Sequence, residues 1–127
     1  MDFWFDKAGE PITVQEWSRL KFEEPGYMRI ASTFLLTQTE QRVWLSTVWL
    51  GLSVYEDQHD LFESMLFEPP DAMNLERWQY PTEAEASVGH EVIIAGLLAD
   101  GYRIDPDQTP AALDPHAVRE DSQRDRD

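Results

Sequence analysis

The chain has no cysteine, which excludes a disulfide framework, a thiolate metal site and a cysteine nucleophile. No lysine follows Lys21, and between Glu56 and Glu91 ten acidic residues meet a single base, Arg77. A surface so one-signed counts against nucleic acid and anionic membranes as direct partners. It favours a protein partner with a basic surface, or high solubility alone. No apolar run approaches the roughly 20 residues that span a bilayer. Met1 to Lys7 carries two aspartates in place of the basic stretch and apolar core of a signal peptide, so a cytoplasmic protein, away from membranes, is expected. The six glycines form neither a phosphate loop nor a dinucleotide fingerprint, and Ser46, Ser53, Ser64 and Ser87 lie in no nucleophile-elbow pattern. No catalytic residue, cofactor or metal is expected from these patterns.

What is present is acid. The net charge is −15, and residues 103–127, with seven acids and four bases, account for only −3 of it. The excess therefore sits on the foldable part of the chain, where self-repulsion opposes compactness and weakens with salt.

The pattern predicts one α+β domain over residues 1–102, an antiparallel β-sheet meander of three to five strands packed with two helices. Phe3-Trp4-Phe5 reads as a short strand in need of a partner. Ile12-Thr13-Val14-Gln15-Glu16-Trp17 is a helix start: Thr13 caps the Glu16 amide, Glu16 reaches back, and Ile12 staples onto Trp17. That helix should end before Pro25-Gly26. Runs of β type follow at Arg29–Thr37, Arg42–Leu52, Leu61–Phe67 and Met73–Tyr80, with the second apolar on both alternating faces, as a central strand requires. Their short connections suit antiparallel neighbours.

A second helix is announced by Thr82 and Glu85 and should stop at Gly101. Projection places Val88, Val92, Ala95 and Ala99 on one face and Ile93, Ile94 and Leu97 on the back. One sheet buries one face, so the remainder needs another cover. Gly89 and Gly96 share a face and read either as close packing on the sheet or as a homodimer seam with Ile93 and Leu97. Beyond Tyr102 the apolar pattern is lost, and residues 103–127 are expected to be a disordered acidic tail that folding does not need.

The best cluster for chemistry is Glu56-Asp57-Gln58-His59-Asp60 with Glu63, oxygen donors and an imidazole suited in kind to a divalent ion. Its spacing matches neither an EF-hand loop nor a zinc motif, and a solvated acidic loop is the simpler reading. His90-Glu91 lacks the second histidine of a zinc-protease helix. The acidic residues Glu56, Asp57, Asp60, Glu63 and Glu68 are instead the candidate partner-binding set.

Glu10-Pro11-Ile12-Thr13 through Glu16-Trp17, Tyr27-Met28-Arg29-Ile30-Ala31, Ser46 to Leu52, Phe62 to Phe67, and Tyr80 to Ala86 with Gly89-His90 form an ordered series of short motifs. In these the chain resembles a family of small uncharacterised proteins encoded by bacteriophages and prophages. Where those proteins continue the central strand into an Asp-His pair and a glycine-rich loop, this chain has Ser53-Val54 and the acidic loop. The resemblance implies an accessory protein of the bacterial host cytoplasm. Three readings follow: an acidic protein that binds a host nucleic-acid-handling or defence protein by charge mimicry, a homodimeric structural or regulatory protein, and a small metal-dependent enzyme built on His59. A monomer or a homodimer is compatible with the sequence.

Overall fold

The strand with the densest β-branched and aromatic content sits at the centre of the sheet. In the computed structural model, which describes residues 3–24, 26–53, 59–68 and 73–109, β1 (Arg29–Leu36), β2 (Arg42–Trp49), β3 (Phe62–Glu68) and β4 (Met73–Tyr80) form an antiparallel meander. A two-residue β5 (Arg103–Ile104) pairs with β1, giving the order β4-β3-β2-β1-β5. Helix α1 (Val14–Phe22) precedes the sheet, and helix α2 (Glu83–Ala99) runs between β4 and β5. The α+β class and the two-helix meander are those read from the sequence.

Period-two alternation divides β2. Val43, Leu45, Thr47 and Trp49 turn toward α2, while Arg42, Trp44, Ser46 and Val48 turn away. Leu35, Val43, Leu45 and Leu66 form one core with Ile94 of α2, flanked by Ile93, Leu97, Trp78 and Tyr102. At the other end of the same face, Phe5, Leu20, Trp49, Leu61, Phe62 and Ala86 form a second, against which Ile12 and Trp17 pack. The aromatic N-terminus finds its partner there: Phe5 N–H donates to the Gly51 carbonyl at 2.9 Å and Ser53 N–H to the Phe3 carbonyl at 3.0 Å. Gly51 takes a φ of +66°, and a side chain there would run into the Trp49 ring and the Phe5 carbonyl, so this close approach admits glycine alone.

Both helix starts are capped as expected. The Glu16 and Glu85 amides donate to Thr13 and Thr82 Oγ1, each at 3.1 Å. The reciprocal half forms in neither box: both Glu16 carboxylate oxygens engage Arg19, at 3.0 and 2.7 Å, and the Glu85 side chain is exposed without bonding the Thr82 amide.

The domain does not end at Tyr102. Beyond β5, the Asp105 amide donates to the Phe34 carbonyl at 3.0 Å. The Gln108 carboxamide then both accepts from Phe34 N–H and donates to Phe34 O, each at 2.8 Å, as a neighbouring strand would. Arg42 holds this segment through Asp105 Oδ2 at 2.8 Å and the Asp107 and Thr109 carbonyls at 2.7 Å, and its guanidinium lies 3.9 Å from the Phe34 ring centre. Residues 103–109 thus belong to the fold, a correction to the expected tail. Isolated polar side chains, here Asp105 and Gln108, close the edge where an apolar pattern was sought. The rest of that tail, residues 110–127, lies outside the described residues.

Candidate functional site

Three inward-facing strand positions carry hydroxyls where the pattern calls for apolar groups: Thr33 on β1, Thr47 on β2 and Ser64 on β3. Helix α2 brings His90 down onto them, 1% exposed. Thr47 Oγ1 lies 2.7 Å from His90 Nδ1 and 2.5 Å from Ser64 Oγ, and Thr33 Oγ1 lies 2.9 Å from His90 Nε2. Tyr80 OH donates to Ser64 Oγ at 3.2 Å. With that polarity, every hydroxyl proton up to the imidazole is used when Ser64 donates to Thr47, Thr47 donates to Nδ1, and Nε2–H donates to Thr33. The imidazole is then neutral, in agreement with the direction of its titration: burial pushes its pKa below 6.5, against the smaller opposing pull of Glu91. Ser64, Thr47 and His90 are closed off from solvent, so this chain of groups specifies how α2 sits on the sheet. Sequence reading missed the network, although a hydroxyl flanked at i±2 by large apolar residues on two neighbouring strands, Thr47 between Leu45 and Trp49 and Ser64 between Phe62 and Leu66, was its signal.

The expected acidic binding set does not form one face. Glu56 and Asp57, with Gln58, lie outside the described residues. Asp60 is half-buried. Glu63 is on the sheet face away from α2 and only 4% exposed. Its Oε1 is 3.6 Å from Arg77 Nη1 and has no hydrogen-bond partner, and burial raises its pKa against the lowering effect of Arg77. Glu68 accepts from the Tyr102 hydroxyl at 3.1 Å, which ties it to the end of α2. Strand alternation explains the separation, since Glu63 must point opposite to its neighbours Phe62 and Ser64. The His59 ring packs on Phe5 at 4.5 Å, and among the described residues no three metal-ligating side chains converge.

The expected seam residues also divide. Gly89 lies over Tyr80, whose ring a methyl group would overlap, whereas Gly96 faces open space. Ile93 and Leu97 are half-buried on the sheet core. The close-packing reading therefore holds for Gly89, and the seam as drawn does not form one exposed surface. The side of α2 that does look outward carries Val88 and Val92, 63% and 64% exposed, with Leu98 beyond and Ala95 alongside. Between this side and β4 runs a groove lined by Trp78, Tyr80, Ala84, Val88, Val92 and Ile93.

Charge frames that surface. Glu83, Glu85 and Glu91 are exposed on α2, and the helix has no lysine or arginine. Elsewhere among the described residues bases are engaged: Arg19 with Glu16 and Glu24, Arg42 with Asp105, Arg77 with Glu63, Arg103 with Glu40, and Lys7 and Lys21 over the Tyr27 and Trp17 rings. No described helix is long and apolar enough to cross a membrane. Comparison of the chain with protein-family models, with curated proteins and with solved structures finds no match.

Proposed function

We propose that the protein is a binding domain whose exposed side of α2 docks on a basic, partly apolar surface of another protein. The observation that carries this reading is the pair Val88 and Val92, nearly two-thirds exposed, flanked by Glu85 and Glu91 on a helix with no base. An apolar patch left open to water marks an interaction surface. Its carboxylate rim selects a cationic partner, speeds encounter and makes affinity fall with salt. The same rim opposes self-association through this face, because two copies would bring Glu91 and its neighbours together. Proteins that handle nucleic acid present basic surfaces of the required kind, and the resemblance to phage and prophage proteins supports a host protein of that class inside the bacterial cell, engaged by imitation of nucleic-acid charge.

The test is affinity capture from bacterial extract with the wild type and with Val88→Ser/Val92→Ser, followed by titration of the captured protein at low and moderate salt. The reading expects one salt-sensitive partner that the variant loses while its melting temperature is kept. A partner held equally by both proteins would place the binding surface elsewhere.

A further inference from the structure

The outward side of α2 has a regular pattern. With 3.6 residues per turn, Ala84, Val88, Val92, Ala95 and Ala99 fall within about 40° of one line along the helix, and all five are exposed. From Ala84 to Ala99 that line runs roughly 22 Å with no polar group in it. Glu91 stands about 60° to one side of Val88 and Glu85 about 60° to the other, both exposed. The backbone beneath is closed, because the interior of a helix offers no unpaired N–H or C=O to a segment laid on it. A strand or loop placed there buries main-chain groups that nothing on α2 can match, whereas a helix satisfies its own. The stripe between the two glutamates is one helix wide, and a sheet laid across it would bury both carboxylates.

We infer that this side of α2 pairs with an amphipathic helix of the partner, whose apolar stripe is flanked on both sides by lysine or arginine. This deepens the reading of α2 as a docking surface and rests on it. Val88 and Val92 are the knobs of the contact, and Ala84, Ala95 and Ala99 let the two axes approach to about 8 Å. The carboxylates flank the same surface that carries the valines. Basic residues beside the partner's apolar stripe therefore meet Glu85 and Glu91 as the stripes close, which is how flanking charges select partners in helix pairs. The same charges oppose a second copy, since α2 has neither lysine nor arginine. Antiparallel pairing along the whole stripe is centred between Glu91 and Val92 and sets Glu91 against its own counterpart. Parallel pairing joins two acidic flanks with no base on either helix. Strand alternation turns Arg77 of β4 to the sheet face away from α2, so it does not offset them.

The test uses a synthetic peptide of about three heptads with leucine along one stripe and lysine on both flanks, which also keep it from pairing with itself. One twin has a central proline, and a second has its lysines moved to the face opposite the leucines. The parent should bind with an affinity that falls with salt, gain helical circular dichroism in the complex, and perturb amide resonances from Ala84 to Ala99. Ala84→Gln and Ala99→Gln, exposed positions roughly 22 Å apart, should each weaken it about tenfold, because a helix touches both ends of the stripe. The proline twin should bind roughly a hundredfold more weakly, and the second twin about tenfold more weakly and with less dependence on salt. Equal binding by the parent and the proline twin, with Val88 and Val92 perturbed, would overturn helix pairing and leave the docking surface intact. Equal binding by the second twin would overturn the basic flanks. Failure of the parent to bind would overturn helix pairing, while capture with Val88→Ser/Val92→Ser reads the docking surface independently. A dimer in sedimentation of the free protein, abolished by that double variant, would assign this side to a second copy and overturn both readings.

Discussion

Replacing Thr47 by valine tests whether the buried hydroxyl–imidazole network holds α2 on the sheet. The two side chains have the same shape, so no cavity opens and the effect is one of hydrogen bonding. Thr47 Oγ1 lies within 2.5 Å of Ser64 Oγ and 2.7 Å of His90 Nδ1, and all three residues are buried. Valine leaves the Ser64 hydroxyl without an acceptor and His90 Nδ1 without a donor, at about 1–3 kcal/mol for each orphaned group. Relief from burying the threonine hydroxyl itself offsets part of this, and a net loss of roughly 2–4 kcal/mol is expected. For a domain of this size each kcal/mol moves the melting temperature by about 4 °C, so the variant should melt roughly 8–16 °C lower. Thr33→Val, at the half-buried end of the network where water can stand in, should lose less than about 1 kcal/mol. Urea denaturation of both variants, with the slope checked for constancy, makes the comparison. A Thr47→Val midpoint within about 0.5 kcal/mol of wild type would refute the reasoning.

Other consequences follow from the same contacts. Because burial holds His90 below its ordinary 6.5, the unfolded chain takes up that proton first, and stability is full above about pH 6.5 and falls as pH drops toward the folded value. Glu63 has the opposite sign: its pKa is raised above 4.5, so its ionisation weakens the fold as pH rises through the folded value. Glu63→Gln should therefore raise the neutral-pH urea midpoint and leave the His90 slope near pH 6. A midpoint in that variant that rises on acidification below about pH 6.5 would contradict the assignment. Gly96→Ala should stabilise by about 0.5–1 kcal/mol through helix propensity alone. Gly89→Ala should destabilise by about 1–3 kcal/mol because its methyl meets the Tyr80 ring, and calorimetry of the two reads the contrast. Truncation after Tyr102 removes β5, Gln108 and the Asp105 partner of Arg42, and should lower stability by about 2 kcal/mol or more; an unchanged melting curve would show that this segment does not hold the edge.

The α+β class, both caps and the order of the strands were legible because each rests on local chemistry: Thr13 and Thr82 before helical spacing, and β-branched runs between turn residues. Phe3 to Phe5 announced the need for a partner without naming it, since the Gly51 to Ser53 stretch it pairs with is distant in sequence. The orientation of α2 was harder to read. The helix is apolar on both sides of its second half, so hydropathy does not distinguish Ile94 from Val92. The side that packs is fixed by His90 meeting Thr33 and Thr47 and by Gly89 fitting Tyr80, contacts made only after the sheet has formed. The end of the domain was missed for a related reason. Asp105 and Gln108 act as single polar clamps, and a search for apolar periodicity passes over them. The acidic set was chosen by nearness along the chain, but strand alternation turns Glu63 to the face away from α2 while Tyr102 holds Glu68 toward the end of that helix.

The docking role of α2 is tested most directly by charge reversal on that helix. Glu85→Lys/Glu91→Lys, exposed positions whose replacement leaves the core untouched, should be titrated against the captured partner beside wild type at low and moderate salt. The account predicts wild-type affinity that falls steeply with salt and a variant that folds normally but fails to bind at either salt concentration. Equal affinity of the two proteins, or wild-type binding indifferent to salt, would contradict it.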